Sequence, residues 1–317
     1  MAWSAHVERS LGRADSVLDL VGNTPLVRIR EITRDLPDAV EVYAKLEYYN
    51  PGGSVKDRPA RQMILDALHD GRLGEGKVLL DSTSGNTGVA YAMFCAALGI
   101  EAKLVMPSNV SQARKDIISA YGAEIVYSDP LEGSDGAIRL AKQIMADDTT
   151  GRLFYPDQYS NPSNPRAHEL TTGPEIVRDT GGRVTHFVAG LGTTGTIMGT
   201  SRALKRFRQT TRIVGLQPDA AFHGLEGLKH LDSSIVPAIY RAEAVDEMLA
   251  IGTEEGWDMR ERLAREEGIA VGHSSGASLA GALRVARGLR ECVIVCIFCD
   301  HYDRYVQPSK LPRRGAA

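Results

Sequence analysis

Val42-Tyr43-Ala44-Lys45-Leu46, then Asn50-Pro51-Gly52-Gly53-Ser54-Val55-Lys56-Asp57-Arg58-Pro59, then Met63, Ile64, Leu65 and Leu68 follow one another closely. The first run is apolar and strand-like. The second holds paired glycines that let the backbone turn tightly, and the last four residues have helical spacing. Strand, glycine-bearing turn and helix make one α/β unit. The unit recurs outward along the chain: Val78-Leu79-Leu80 leads through Ser82-Thr83-Ser84-Gly85-Asn86-Thr87-Gly88 into an apolar helical segment over 89–98. Phe187-Val188-Ala189 leads in the same way through Gly190-Leu191-Gly192-Thr193-Thr194-Gly195-Thr196 into another helix.

Between these landmarks the periodicity predicts strands over 41–47, 78–82, 102–106 and 123–127, and helices over 57–69, 87–98, 111–121 and 134–147. In the last of these, Ala137, Leu140, Ala141, Ile144 and Met145 recur at three and four. A second set has strands near 186–190, 212–217 and 292–298, with helices near 165–178, 195–207, 254–267 and 275–288. Thr253 is expected to cap the third of these helices through its hydroxyl, with Glu254 and Glu255 in the first turn. Residues 24–29 alternate like a short strand. Such an order predicts the α/β class, a parallel sheet covered by helices on both sides.

The chain has 317 residues, enough for one large or two medium units. Its 43% apolar and 24% charged content is that of a globular protein, and a formal net charge of −3 gives no reason to expect nucleic acid or a membrane surface. No apolar run is long enough to span a bilayer, 293–299 being the longest candidate. Residues 1–16 carry acids, unlike a secretory signal, so an arm that is mobile or meets a partner and a cytoplasmic location are expected. The tail over 308–317 is expected to fray. Cys292, Cys296 and Cys299 fall close together and invite a metal reading. The apolar residues between them favour a buried strand, with Cys292 and Cys296 on one face and Cys299 on the other. No metal is expected.

Lys56 stands at the start of a helix, where the dipole and partial burial both disfavour an ammonium ion, so a nucleophilic amine is one reading and a surface charge the other. The hydroxyls and backbone N–H groups of 82–88 at a helix N-terminus suit a carboxylate or phosphate. The 190–196 loop suits a phosphate of its own. A candidate Schiff-base lysine, a carboxylate site and a phosphate cradle are the parts a pyridoxal-phosphate enzyme acting on an amino acid needs. Gly190, Gly192 and Gly195 also satisfy a dinucleotide fingerprint with Asp219 downstream, but that reading leaves Lys56 and the 82–88 loop without a purpose.

At these residues the chain resembles the cysteine synthases, in the β-replacement branch of the fold-type II pyridoxal-phosphate enzymes. The matching pieces are Gly22-Asn23-Thr24-Pro25-Leu26-Val27, Lys45-Leu46-Glu47, the stretch from Asn50 to Pro59, and Thr83-Ser84-Gly85-Asn86-Thr87-Gly88. Met106-Pro107, Asn161-Pro162-Ser163-Asn164-Pro165, Thr172-Gly173-Pro174-Glu175, the 190–196 loop and Gly272-His273-Ser274-Ser275-Gly276-Ala277 follow in order. They run from about residue 18 to about residue 306.

The resemblance implies two open, twisted, mostly parallel sheets flanked by helices, with pyridoxal 5'-phosphate in the cleft between them. A smaller, mobile domain over 47–154 would hold the substrate carboxylate, and a larger one over 1–46 and 155–317 the cofactor phosphate. Lys56 matches the lysine that holds the cofactor aldehyde and then serves as general base. Asn86 matches the partner of the ring hydroxyl, and Ser274 the residue facing the pyridine nitrogen. Gly192, Thr193, Thr194, Gly195 and Thr196 match the phosphate cradle. Thr83, Ser84, Gly85, Asn86, Thr87 and Gln158 match the substrate-binding group. Asp300-His301-Tyr302-Asp303 departs from the Pro-Ser-Ser/Thr-Gly usual ahead of Arg304-Tyr305.

Lys229 resembles the position where a subgroup accepting O-phosphoserine places an arginine, and a surface lysine beside Glu226 is the other reading. The implied reaction makes cysteine from O-acetylserine or O-phosphoserine, through an aminoacrylate, with sulfide or a carrier thiocarboxylate as sulfur source. Cystathionine formation from serine and homocysteine, or a non-catalytic cleft-binding module, are the alternatives. A homodimer, and serine acetyltransferase or a sulfur-carrier protein as partner, are expected from the resemblance.

Overall fold

The computed structural model describes residues 13–83 and 85–305. Ser84, most of the expected N-terminal arm and the expected tail lie outside the described residues. Among those described, strands pair into a six-stranded and a four-stranded sheet. The larger has the order β1 (Leu26–Arg28), β2 (Val40–Leu46), β10 (Cys292–Phe298), β7 (His186–Gly190), β8 (Arg212–Pro218), β9 (Glu247–Ile251). The smaller runs β5 (Glu124–Ser128), β4 (Glu101–Pro107), β3 (Val78–Ser82), β6 (Leu153–Phe154). All pairs are parallel except β1 with β2. The chain leaves the larger sheet after β2, builds the whole smaller sheet, and returns at β7.

β10 is buried at every residue, and its unbroken Val-Ile-Val and Ile-Phe runs are what a strand covered on both faces requires. Cys292 and Cys296 pack into the cluster that holds Val42, Leu216 and Leu279, while Cys299 packs against the cluster of Phe187 and Ile197 on the other face. Burial pushes the Cys299 thiol up to about 11, so it is not a thiolate at neutral pH.

The helices are α1 (Asp57–His69), α2 (Asn86–Leu98), α3 (Gln112–Ala120), α4 (Gly133–Ala146), α5 (Ser163–Leu170), α6 (Thr172–Asp179), α7 (Gly195–Phe207), α8 (Thr253–Glu266) and α9 (His273–Ala286). Ala60, Met63, Ile64 and Ala67 of α1 meet Val89, Met93 and Phe94 of α2 beneath the smaller sheet. Leu18, within residues assigned from the resemblance to the larger unit, packs into this same cluster.

Two expectations need correction. The helix predicted over 165–178 is two helices, α5 and α6, broken at Thr171 (φ −125°, ψ −67°). Pro174 has no N–H, and its ring would strike the carbonyl of residue 170 in a continuous helix. Thr253 does not cap α8: the helix begins at Thr253 itself, after Gly252, and no side chain caps it. The Thr253 hydroxyl instead accepts from Gly224 N at 3.0 Å, tying down the loop after β8. The short β6 and the largely exposed β9 were not predicted, because two residues carry no period and β9 hides only Ile251.

Candidate active site

The glycine turn of 50–56 is fastened to the end of β10. Val55 N donates to the Cys299 carbonyl at 2.8 Å, and Ser54 bridges Asp300. Lys56 is thereby set at the head of α1. The helix is anchored from behind by Arg58, which is 2% exposed. Its Nε donates to Glu47 Oε2 at 2.7 Å and its Nη1 to Glu175 Oε1 at 2.7 Å. Lys45 Nζ adds an ion pair to Glu175 at 2.8 Å and a hydrogen bond to the Thr24 carbonyl at 2.6 Å. Burial raises the Glu175 carboxyl, but Arg58 and Lys45 outweigh it and hold the group well below the usual range.

C-terminal strand ends from both sheets open onto a cavity of about 680 Å³. Its walls include Lys56, Asn86, Thr87, Gln158, Gly192, Thr193, Thr194, Thr196, Ser274 and Lys229. Thr83, Gly85 and Gly195, also named from the sequence, stand behind the wall. The Thr83 hydroxyl accepts from Gly85 N at 3.1 Å and Gly88 N at 2.9 Å, which shapes the loop. Gly85 takes φ +150°, and a Cβ there would come within 2.6 Å of Arg114 Cδ. Gly195 opens α7 so close to Asn164 that a Cβ would lie 1.8 Å from its Oδ1. Asp219, the acid of the dinucleotide reading, does not line the cavity.

Thr87 Oγ1 donates to Gln158 Oε1 at 2.9 Å, and Gln158 Nε2 donates to the Ser82 carbonyl at 2.6 Å. The α2 loop and the segment after β6 are thus locked as one surface. Asn86 Nδ2 donates to Asp300 Oδ2 at 2.6 Å, and Tyr305 OH donates to the same oxygen at 2.7 Å. Asp300, the residue that departs from the family pattern, is therefore in the site, 1% exposed. Burial pushes its carboxyl up, against the pull of Tyr305 and Asn86.

Several functional neighbours escaped the sequence reading. Asn164 Nδ2 bonds Thr193 Oγ1 at 3.1 Å. His168 lies with Nε2 at 3.3 Å from Thr196 Oγ1 and Nδ1 at 2.9 Å from Thr172 Oγ1. Burial, with Arg58 and Lys56 nearby, lowers the His168 imidazole well below its ordinary value, so it is neutral at pH 7. Asn164 sits inside a matched motif, which was the one available signal, whereas His168 falls between two of them. Across the cavity mouth, Arg114 Nη1 meets Glu226 Oε2 at 2.7 Å and Lys229 Nζ meets Asp135 Oδ1 at 2.6 Å. No sequence signal marked Asp135, and the reading of Lys229 as a surface lysine beside Glu226 is corrected: Lys229 is buried and paired with Asp135, while Glu226 pairs with Arg114.

The family model described as pyridoxal-phosphate dependent enzyme matches residues 17–300. The chain belongs to this family. It is 49% identical to a cysteine synthase of Aquifex aeolicus, over 92% of this chain and 90% of the relative. It is 46% identical to cysteine synthase B of Escherichia coli, over 90% and 92%. A solved cysteine synthase from Entamoeba histolytica superposes with a TM-score of 0.89 at 32% identity, covering 97% of this chain and 93% of that one.

The site fits the family's cofactor. Thr194 is a non-glycine residue at φ +69° beside the head of α7, and its buried Oγ1 has no partner. Such strain and such an orphan in a cavity wall mark a place built for a ligand. Asn86 Oδ1, buried on the opposite loop, is likewise unpartnered. The helix N-terminus behind Thr193 and Thr194 supplies backbone donors for a phosphate.

Proposed function

We propose that Lys56 is the catalytic residue of a pyridoxal-phosphate-dependent cysteine synthase, and that the 680 Å³ cavity takes cofactor and amino-acid substrate together. The observation that carries this reading is the convergence of Lys56, Asn86, Gln158, the 192–196 loop and Ser274 on that one space. When bound, pyridoxal phosphate supplies an electron sink for the substrate's α-carbon. Gly192, Thr193, Thr194, Gly195 and Thr196 hold the phosphate, with Asn164 and His168 steadying two of the threonine hydroxyls.

Asn86 meets the ring hydroxyl. Ser274, in the first turn of α9, meets the ring nitrogen with a hydroxyl rather than a charge, which moderates the sink and suits β-elimination. Thr87 and Gln158, on the loop that the Thr83 hydroxyl braces and the segment it faces, bind the substrate carboxylate and aim its α-hydrogen at Lys56. Lys56 Nζ removes that proton as the β-substituent leaves, and returns it after sulfur has added.

The units built around the smaller and the larger sheet close on each other around the substrate, excluding water. The ion pairs Arg114–Glu226 and Lys229–Asp135 join the two across the mouth. No helix among the described residues is long and apolar enough to cross a membrane. A cytoplasmic homodimer is part of the same reading, as is docking of serine acetyltransferase or a sulfur-carrier protein at the cleft.

The test is formation of cysteine from an O-activated serine and sulfide by the pyridoxal-phosphate-loaded protein, alongside Lys56→Ala. The variant is expected to lose at least about 10²–10⁴-fold in rate and to lack the native visible absorption band. A fully active Lys56→Ala protein sinks the assignment.

A further inference from the structure

The cavity is lined by three basic side chains among the described residues, Lys56, Arg114 and Lys229, and by four acidic ones, Glu132, Asp135, Glu226 and Asp300. His223 also lines it, with its imidazole lowered by burial and by His230. Lys56 is committed to the reaction. Arg114 is 4% exposed and ion-paired with Glu226. Lys229 is 6% exposed, with its backbone N–H fixed to the Leu191 carbonyl at 2.7 Å, next to the phosphate loop. Its ammonium lies 5.3 Å from the Tyr159 ring centre and 2.6 Å from Asp135 Oδ1.

Asp135 is held from both sides, because its Oδ2 accepts from Ile235 N at 3.0 Å. It also occupies the first turn of α4, where the helix dipole favours an anion. The Lys229 charge is therefore already neutralised by a fixed carboxylate.

We propose that Asp135 is a specificity-determining residue: by occupying Lys229 it leaves no free cation for a phosphoryl leaving group and selects the neutral ester, O-acetyl-L-serine, over O-phospho-L-serine. A phosphomonoester carries roughly −1.5 to −2 charges at neutral pH and needs charge-assisted donors, whereas an acetyl ester carries none. With Lys229 paired, the dianion meets Asp135 as a like charge and finds no cation to offset it. The inference rests on the cysteine synthase reading and names its donor.

The experiment measures kcat and KM for both esters, with sulfide, in the native protein, Asp135→Asn, Asp135→Ser and Asp135→Asn/Lys229→Met. The native protein is expected to prefer O-acetylserine. Each single variant frees Lys229 and raises the phosphoserine-to-acetylserine ratio of kcat/KM by about tenfold or more, the scale of one freed charge-assisted bond. The gain is expected in the KM for phosphoserine rather than in kcat, and the double variant cancels it.

Inorganic phosphate is expected to inhibit the native protein only weakly and to become an effective competitor of O-acetylserine in Asp135→Asn. The serine variant keeps the question decidable if the asparagine variant fails to fold. A native preference for phosphoserine, an unchanged ratio in the folded variant, or a gain that survives loss of Lys229 overturns the inference alone. Turnover of neither ester by the native protein overturns the cysteine synthase reading and this inference with it.

Discussion

Two buried polar regions flank the 50–58 turn and treat their hydrogen-bonding atoms in opposite ways. Behind Lys56, the knot of Thr24, Lys45, Glu47, Arg58 and Glu175 leaves no buried side-chain polar atom without a partner. In front of it, Asn86 Oδ1, Thr194 Oγ1 and Asp300 Oδ1 are buried and have none. An unmade hydrogen bond in the interior costs about 1–3 kcal/mol. A fold that tolerates such orphans around one cavity is built for something that is not polypeptide. The knot holds the helix that carries Lys56, and the cavity wall waits for a ligand.

This contrast can be broken most severely at Arg58. Arg58→Met strands Glu47 and Glu175 without their guanidinium, and the expected loss is roughly 3–5 kcal/mol in urea unfolding of the cofactor-free protein. A loss below about 1 kcal/mol would show that the knot is not what fastens α1.

A second pair of variants sharpens it through pH. The Glu175 carboxyl is held down by its cations, so its stabilisation is complete above the unfolded value of about 4.3 and fades as pH falls below that. Glu175→Gln should therefore cost most near neutral pH and progressively less in acid. Asp81, buried beside Tyr91 with no cation, is pushed up to about 7. Its folded form binds a proton that the unfolded chain has lost above about pH 3.9, so stability falls as pH rises from there towards 7. Asp81→Asn should gain on the order of 2–4 kcal/mol above pH 7 and nothing below pH ~4. Parallel pH profiles for the two variants would contradict the assignment of signs.

The smallest effect on folding is expected at Thr194. Thr194→Ala removes a hydroxyl with no protein partner, so cofactor-free stability should change by less than about 1 kcal/mol. Cofactor affinity, followed by titration of the visible band, should weaken about tenfold. Equal damage to both quantities would mean the hydroxyl serves the fold.

Much of this was legible beforehand. Periods of two and 3.6 located the main strands and helices, and β3, β7 and β10 fall on their predicted residues. The break at Thr171 was missed because the helical pattern runs through it, although Pro174 was there to be weighed. The motif stretches yielded Lys56, Asn86, Gln158, the 192–196 loop and Ser274, all of which face or support one cavity. Thr83 shows the limit: its residue type suits a ligand, yet its hydroxyl oxygen is occupied by Gly85 and Gly88.

The sequence by itself determined the element order, the α/β class and the residue types at each loop, because those depend on side chains a few positions apart. Only the tertiary structure decided which charges are free. Asp135 meets Lys229 across 94 residues of chain, Arg58 meets Glu175 across 117, and Asn86 meets Asp300 across 214. Whether a lysine offers its charge to a substrate or spends it on a neighbour depends on what stands within about 3 Å, and chain separation carries no record of that.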